Sequence, residues 1–312
     1  MRYWLRVMLE AMSVFDPRVT PARGDIAAKH LEGKVKAARF VEGRAMEVIA
    51  PQAPLRREPR PDALLDTEAL KGERVTIYDA NAEGWAWGQL ASDHYVGWLP
   101  SAALARPGPP PTHRVAALRT LVFPGPSIKL PPVEALPFGA ALNIARTEDC
   151  LAITPSGAYV PAAHLAPIGD YERDFVAVAE RFIGTPYLWG GKTTLGVDCS
   201  GLLQIALSVC GVQCPRDSDT QEQALGTPLD HSASSFELRR GDLVFWSGHV
   251  AIARDRDSLV HANAFHMSVV IEPAAEAVAR IRGLGSEIAS VRRMPVTGVI
   301  PRGDIDVTRG LM

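Results

Sequence analysis

Residues 190–207 read GGKTTLGVDCSGLLQIAL. Two glycines and a run of small and polar residues give way to Leu202, Leu203, Ile205, Ala206 and Val209. That spacing predicts a helix with one apolar face, stopped by Gly211. Cys199 falls among its first residues, where unpaired backbone N–H groups and the positive end of the helix dipole face the sulfur. Such surroundings favour thiolate and make the residue a candidate nucleophile. Standing alone, the motif reads more readily as a buried structural cysteine. Cys210 and Cys214 are read that way, because their C-x3-C spacing lacks the second Cys/His pair of a zinc site.

A nucleophile needs a base, and the base needs an orienting partner. Downstream, DLVFW (242–246), HVAIARD (249–255), SLVHANA (258–264) and MSVVIEP (267–273) have the alternation and turn-bounded lengths of strands. His249 opens the second and His261 lies in the third, so a short hairpin sets the two side chains beside each other if both face one side of the sheet. Upstream, DYERDFVAVAERFIG (170–184) spaces Phe175, Val176, Val178, Ala179 and Phe182 as a helix. Residues 169–312 are therefore expected to form one mixed α+β domain.

The preceding sequence has a different character. MEVIA (46–50), ERVTIYD (73–79), GWAWGQLA (84–91) and YVGWLP (95–100) are short strands bounded by Gly, Asn, Asp or Pro, which suits a small barrel over 45–105. The proline-rich 106–112 lacks the N–H groups of a central strand or helix interior and reads as a stiff linker. Over 113–168, RVAALRTLVF, ALNIART, CLAITPSG and AYVPAAHLAPI repeat the order and lengths of the first barrel's strands, an imperfect internal repeat. Residues 1–44 form a polar, basic-leaning extension in which AAKHLEGKVKAARF (27–40) predicts a short helix; we assign it no chemistry.

At 312 residues the prior is two or three domains. A chain that is 47% hydrophobic and 22% charged, with a formal net charge of -2, has no overall attraction for nucleic acid or anionic lipid. No stretch approaches the ~18 uncharged apolar residues of a membrane span. Arg2, Arg6 and Glu10 interrupt the apolar N-terminal residues, so no signal peptide is expected and a cytoplasmic location follows, one that suits four cysteines in so long a chain. No metal or cofactor is called for, and the oligomeric state stays open.

DCSGL, GDLVFW, GHVAIA and LVHANA resemble the NlpC/P60 family of papain-like cysteine peptidases, from about Tyr171 to Met294. YVGWLP and AYVPAAHL resemble bacterial SH3-type modules. The resemblance implies an α+β papain-like (NlpC/P60) catalytic domain preceded by two small SH3-like β-barrels, the layout of γ-D-glutamyl-L-diamino acid endopeptidases of murein-peptide recycling. It implies Cys199 as nucleophile, His249 as base, His261 as its orienting group, and Tyr187 of TPYLWGG as an aid to the oxyanion site. The implied partner is a murein tripeptide, L-Ala-γ-D-Glu linked to diaminopimelate or lysine. Asp198 and Ser200 beside the nucleophile, Asp217 and Ser218 in PRDSDTQ, and Tyr95 from the first module are the candidate substrate-binding residues. Glu58 or Glu73 is the candidate for a further carboxylate from that module. D-S-D-T is equally a helix-capping composition. Two other functions stay open: a wall-peptide binding protein without turnover, and an amidase or acyltransferase built on the same Cys/His pair.

Overall fold

A computed structural model describes residues 15–230, 232 and 237–295. The N-terminal stretch read for a signal peptide lies largely outside these residues, as does the end of the last domain.

The last domain is organised by helix α2, Cys199–Val209. Asp198 caps its N-terminus by accepting from the Gly201 N–H, and Gly211, at φ +79°, turns the chain away at the other end. One apolar face was expected. Instead every residue of α2 except Ser208 is buried, because the helix is enclosed on several sides. One side meets a six-stranded antiparallel sheet of β1 (Thr227–Leu229), β2 (Asp242–Trp246), β3 (His249–Ala253), β4 (Ser258–Asn263), β5 (Ser268–Pro273) and β6 (Ile288–Arg293), in the order β1-β6-β2-β3-β4-β5. Val250, Ile252, Val260 and Ala262 of this sheet share a core with Leu202, Leu203 and Ala206 of α2. Helix α1 (Phe175–Glu180) packs beside it, capped by Asp174. The same core takes in Leu70 and Phe138 from the upstream β units, with Phe138 edge-on to Phe182 at 5.7 Å. Helix α3, Ser218–Ala224, follows α2.

The other face of the sheet, with Val244, Ala251, Ala253 and Leu259, is covered by helix α4 (Ala274–Gly283) through Ala277. Sequence periodicity did not reveal α4 or β6.

The first β unit is a seven-stranded sheet running from Arg44–Val48 to Leu104–Ala105, around Val48, Leu55, Val75, Leu90 and Leu99. It contains two strands that were not anticipated, Gln52–Arg56 and Leu65–Leu70. Residues 113–167 form three small sheets around Val115, Leu136, Ala140 and Val160. The proline-rich connection between the two units is tied down at both ends. Gly108 N–H donates to Glu47, Arg74 donates to the Gly108 carbonyl, and Asn143 donates to Pro110. The helix expected over 27–40 is not formed: a 3-10 turn, Lys29–Leu31, stops before Gly33, whose φ of +80° is left-handed, and Ala27–Ala28 pairs with Phe40–Val41 instead.

Candidate active site

The β2–β3 turn delivers His249 at the first position of β3, and the ladder that pairs Ile252 with Val260 brings His261 of β4 to the same face. Their rings meet at 2.9 Å between His249 Nε2 and His261 Nδ1. The other nitrogen of His261, Nε2, lies 2.6 Å from Glu272 Oε1 on β5, and Arg280 of α4 donates to that same oxygen. Asn263 Nδ2 sits 3.0 Å from His261 Nε2. A carboxylate is the stronger partner for a single ring proton, so that proton faces Glu272. His261 Nδ1 is then an acceptor and His249 Nε2 a donor, which leaves the lone pair of His249 on Nδ1.

The electrostatics agree with a neutral His249. Burial, His261 and Arg280 push its pKa down to about 3, against a smaller pull from Glu272. Burial raises the Glu272 carboxyl, but His261 and Arg280 outweigh it and hold the group below its ordinary range.

Cys199 reaches the sheet at the start of β3, where the Val250 N–H leans toward its sulfur. No hydrogen bond joins Cys199 to His249 among the described residues. Its surroundings work against the expected thiolate. Burial and the nearby Asp198 raise the thiol to about 12, despite the Val250 and Ser200 N–H groups and the Arg216 guanidinium. A neutral thiol beside a neutral imidazole, itself oriented by a second imidazole and a carboxylate, can transfer its proton as it attacks an electrophile. The Cys199 N–H, at the first helical position, has no intrahelical acceptor and is available to a developing oxyanion. Tyr187 packs against the same core, its backbone bridged to Val197, and burial and the neighbouring Cys199 raise its phenol.

Asp198 and Ser200 face inward. Asp198 accepts from the Gly190 and Gly201 N–H groups and receives both terminal nitrogens of Arg216, at 2.9 and 2.7 Å. Ser200 Oγ donates to Asp198 and accepts from Arg216 at 2.8 Å. The four bonds to Asp198 from Arg216, Gly190 and Gly201 occupy both of its oxygens inside the protein. The geometry makes Asp198 and Ser200 an internal strut behind Cys199.

Asp217 is different. It stands at the N-cap position of α3 yet makes no capping bond. Its Oδ2 accepts from Tyr95 Oη at 3.0 Å and from Arg18 Nη1 at 2.9 Å, so the first β unit and the N-terminal arm both converge on it. Ser218 is half-buried beside it at the start of α3. Glu58 is exposed and pairs with Arg60. Glu73 accepts from the buried Lys192 at 3.0 Å, and Glu68 accepts from the Lys192 N–H at 2.9 Å. The carboxylate that influences Tyr95 from its own unit is Asp66. Arg216, Glu272, Arg18 and Asp66 were not singled out from sequence. The one local signal was for Glu272, a charged residue in a strand whose Val270 pairs with His261.

Residues 184–283 match the NlpC/P60 family, and residues 55–104 match the bacterial dipeptidyl-peptidase SH3 domain. The chain carries an NlpC/P60 domain. The NlpC/P60 fold is also that of a crystal structure of an NlpC/P60 family protein from Bacillus cereus, with a TM-score of 0.67 and 21% identity, covering 80% of this chain and all of that one. Among sequence relatives, dipeptidyl-peptidase 6 of Lysinibacillus sphaericus is 39% identical over 93 residues, 30% of this chain and 33% of that protein. The chain thus spans about a third of that relative. Gamma-D-glutamyl-L-lysine dipeptidyl-peptidase of Bacillus subtilis is 25% identical over 255 residues, 74% of this chain and 82% of the relative. The residues that match the NlpC/P60 family are thus preceded by an SH3-like domain. No helix among the described residues is long and apolar enough to cross a membrane.

Proposed function

We propose that this protein is a cysteine endopeptidase that hydrolyses the bond between γ-D-glutamate and a diamino acid, diaminopimelate or lysine, in short murein peptides with a free N-terminal L-Ala. The observation that carries this reading is the bond between Tyr95 of the SH3-like domain and Asp217 of the NlpC/P60 domain. A carboxylate held at the domain boundary, not engaged in capping its own helix, is a chemical partner for the ammonium of a peptide's first residue. The SH3-like domain then limits how far a peptide extends. The Bacillus subtilis relative, a gamma-D-glutamyl-L-lysine dipeptidyl-peptidase by name, supports the same bond class.

In this mechanism the Cys199 sulfur attacks the γ-carbonyl carbon while its proton passes to His249 Nδ1. The Cys199 N–H and the Tyr187 hydroxyl receive the oxyanion. Collapse breaks the C–N bond, His249 protonates the departing α-amine of the diamino acid, and a thioester remains. Water, deprotonated by His249, hydrolyses the thioester and the proton returns to sulfur. His261 and Glu272 hold His249 in the tautomer this cycle requires.

A role in recycling wall peptides inside the cell is part of the proposal, in keeping with four free cysteines, three of which, Cys199, Cys210 and Cys214, are buried in the domain core without forming a disulfide. So is the assignment of 113–168 as a second SH3-like module. In both β units a strand, a 3-10 turn and a short strand follow in that order, Val96–Pro100, Ser101–Ala103 and Leu104–Ala105 in one, Tyr159–Pro161, Ala162–His164 and Leu165–Pro167 in the other.

The test is incubation with L-Ala-γ-D-Glu-diaminopimelate and L-Ala-γ-D-Glu-L-Lys, assaying released L-Ala-D-Glu, with Cys199→Ala as control. Release that depends on Cys199 is expected. Tight binding without turnover by the unmodified protein, or acyl transfer from a lipid donor with none from these peptides, refutes the proposal.

A further inference from the structure

The N-terminal arm was expected to carry no chemistry, yet one of its side chains, Arg18, reaches Asp217. The arm is laid along the SH3-like domain by two bonds, from Val96 N–H to the Arg18 carbonyl at 2.7 Å and from Gln89 Nε2 to the Val19 carbonyl at 2.8 Å. Asp16 grips the guanidinium of Arg18 from behind, at 2.7 Å, and Asp219 receives both of its terminal nitrogens at 2.9 and 2.8 Å. With its position set on two sides, the guanidinium presents Nη1 to Asp217 Oδ2. Tyr95 donates to that same oxygen. Oδ1 of Asp217 has no hydrogen-bond partner among the described residues, and the residue forgoes the helix cap its position offers.

We propose that Arg18 is a specificity-determining positioning residue: by holding Asp217 through Oδ2, it orients the carboxylate and leaves Oδ1 to receive the ammonium group of a short peptide. This rests on the reading of Asp217 as the amine subsite. One guanidinium N–H and one phenol O–H on the same oxygen restrain the carboxylate, so the second oxygen is presented with less entropy loss on binding. Charge supports the geometry. Burial raises the Asp217 carboxyl, and Arg216, Arg18 and the Tyr95 hydroxyl counter it, while Asp219 adds to the rise. Arg57 also faces this group from the SH3-like domain. Removing Arg18 subtracts one of the countering cations, so Asp217 takes up its proton at higher pH and a cationic ligand loses its partner sooner on acidification.

The experiment is steady-state hydrolysis of L-Ala-γ-D-Glu-L-Lys and its N-acetyl counterpart by the full chain, comparing unmodified protein, Arg18→Gln and Arg18→Lys from pH 5 to 9. Arg18→Gln is expected to raise KM for the free-amine peptide about tenfold, the loss typical of one charge-assisted bond. Expected alongside are a kcat changed by less than about twofold, unchanged handling of the acetylated peptide, and an acid-side rise in KM displaced to higher pH. Arg18→Lys restores part of the affinity. Tighter binding of the free amine by Arg18→Gln overturns the proposal, since Arg18 would then be a competitor. Equal losses on both peptides, or an unshifted pH profile, overturn it as well. If Arg18→Gln fails to fold, Asp219→Asn loosens the same guanidinium: a KM rise confined to the free-amine peptide supports the proposal, and an unchanged ratio refutes it. Unmodified protein that cleaves both peptides equally refutes the amine subsite itself, a result distinct from failure of Arg18 alone.

Discussion

Replacing Arg216 by methionine tests whether the nucleophile stands on a buried ion pair. Arg216 is 2% exposed and donates to Asp198 at 2.9 and 2.7 Å, to Ser200 Oγ at 2.8 Å, to the Gly191 carbonyl at 3.4 Å and to Thr67 Oγ1 at 2.8 Å. The substitution preserves apolar bulk but strands Asp198, which keeps only the Gly190 and Gly201 N–H groups and Ser200. Removing one partner of a buried pair costs about 3–5 kcal/mol. Two charge-assisted bonds at about 1.5–3 kcal/mol each lead to the same range. At roughly 2–4 °C per kcal/mol for a domain of this size, the midpoint should fall by about 6–20 °C. Asp198→Asn in the same chain removes the stranded charge while keeping an acceptor for Gly201, and should recover about 1–3 kcal/mol. Because several domains unfold in one chain, the readout should be local. Urea dependence of Cys199 alkylation, followed by peptide mass spectrometry so that the exposed Cys150 is counted separately, reports opening at α2. A loss below about 1 kcal/mol in Arg216→Met, or a strictly additive double mutant, refutes the strut.

Two further outcomes follow from the relay. Burial, His261 and Arg280 depress the folded pKa of His249 to about 3 against an ordinary 6.5, so the stability linked to its neutral form is fully present above pH 6.5 and is lost as pH falls toward 3; it amounts to on the order of 5 kcal/mol. The stability difference between unmodified protein and His249→Asn, measured from pH 7 to 3.5, should shrink or reverse accordingly, and a pH-independent difference contradicts the depressed pKa. Glu272→Gln weakens the charge-assisted bond that fixes the His261 proton, so kcat should fall about 10–100-fold with little change in KM, while a kcat within about twofold of normal refutes its role in the relay.

The elements around the site were largely legible in sequence because they obey local rules. Leu202, Leu203, Ile205 and Ala206 announced α2, and alternation in HVAIARD and SLVHANA announced the hairpin that joins His249 to His261. What escaped was faint locally or set by distant partners. Ala274–Gly283 reads AAEAVARIRG; Ala274, Ala277, Val278 and Ile281 do stand at helical spacing, but the stripe is short, built largely of alanine and easily passed over. Asp198 and Asp217 have the same local chemistry, a carboxylate just before a helix; Arg216 turns one inward, and Tyr95 with Arg18 draws the other outward. The burial that opposes a thiolate at Cys199 escaped for a related reason. A helix N-terminus can be read from sequence, but the packing around Cys199 depends on tertiary neighbours within its own domain, such as Val250 of β3 and Arg216.

The docking of the SH3-like domain has a bearing on how such proteins diversify. Thr67 completes the hold on Arg216, Glu68 and Glu73 secure Lys192, Tyr95 reaches Asp217, and Gly190 packs so close to the Leu65 carbonyl that a methyl group there would lie 2.5 Å from its oxygen. The barrel is thus no interchangeable adaptor threaded on a string. A recombination event that exchanged it for another barrel would inherit an NlpC/P60 domain with a loosened α2 helix unless these side chains travelled with it, so lineages should keep or lose the pair together.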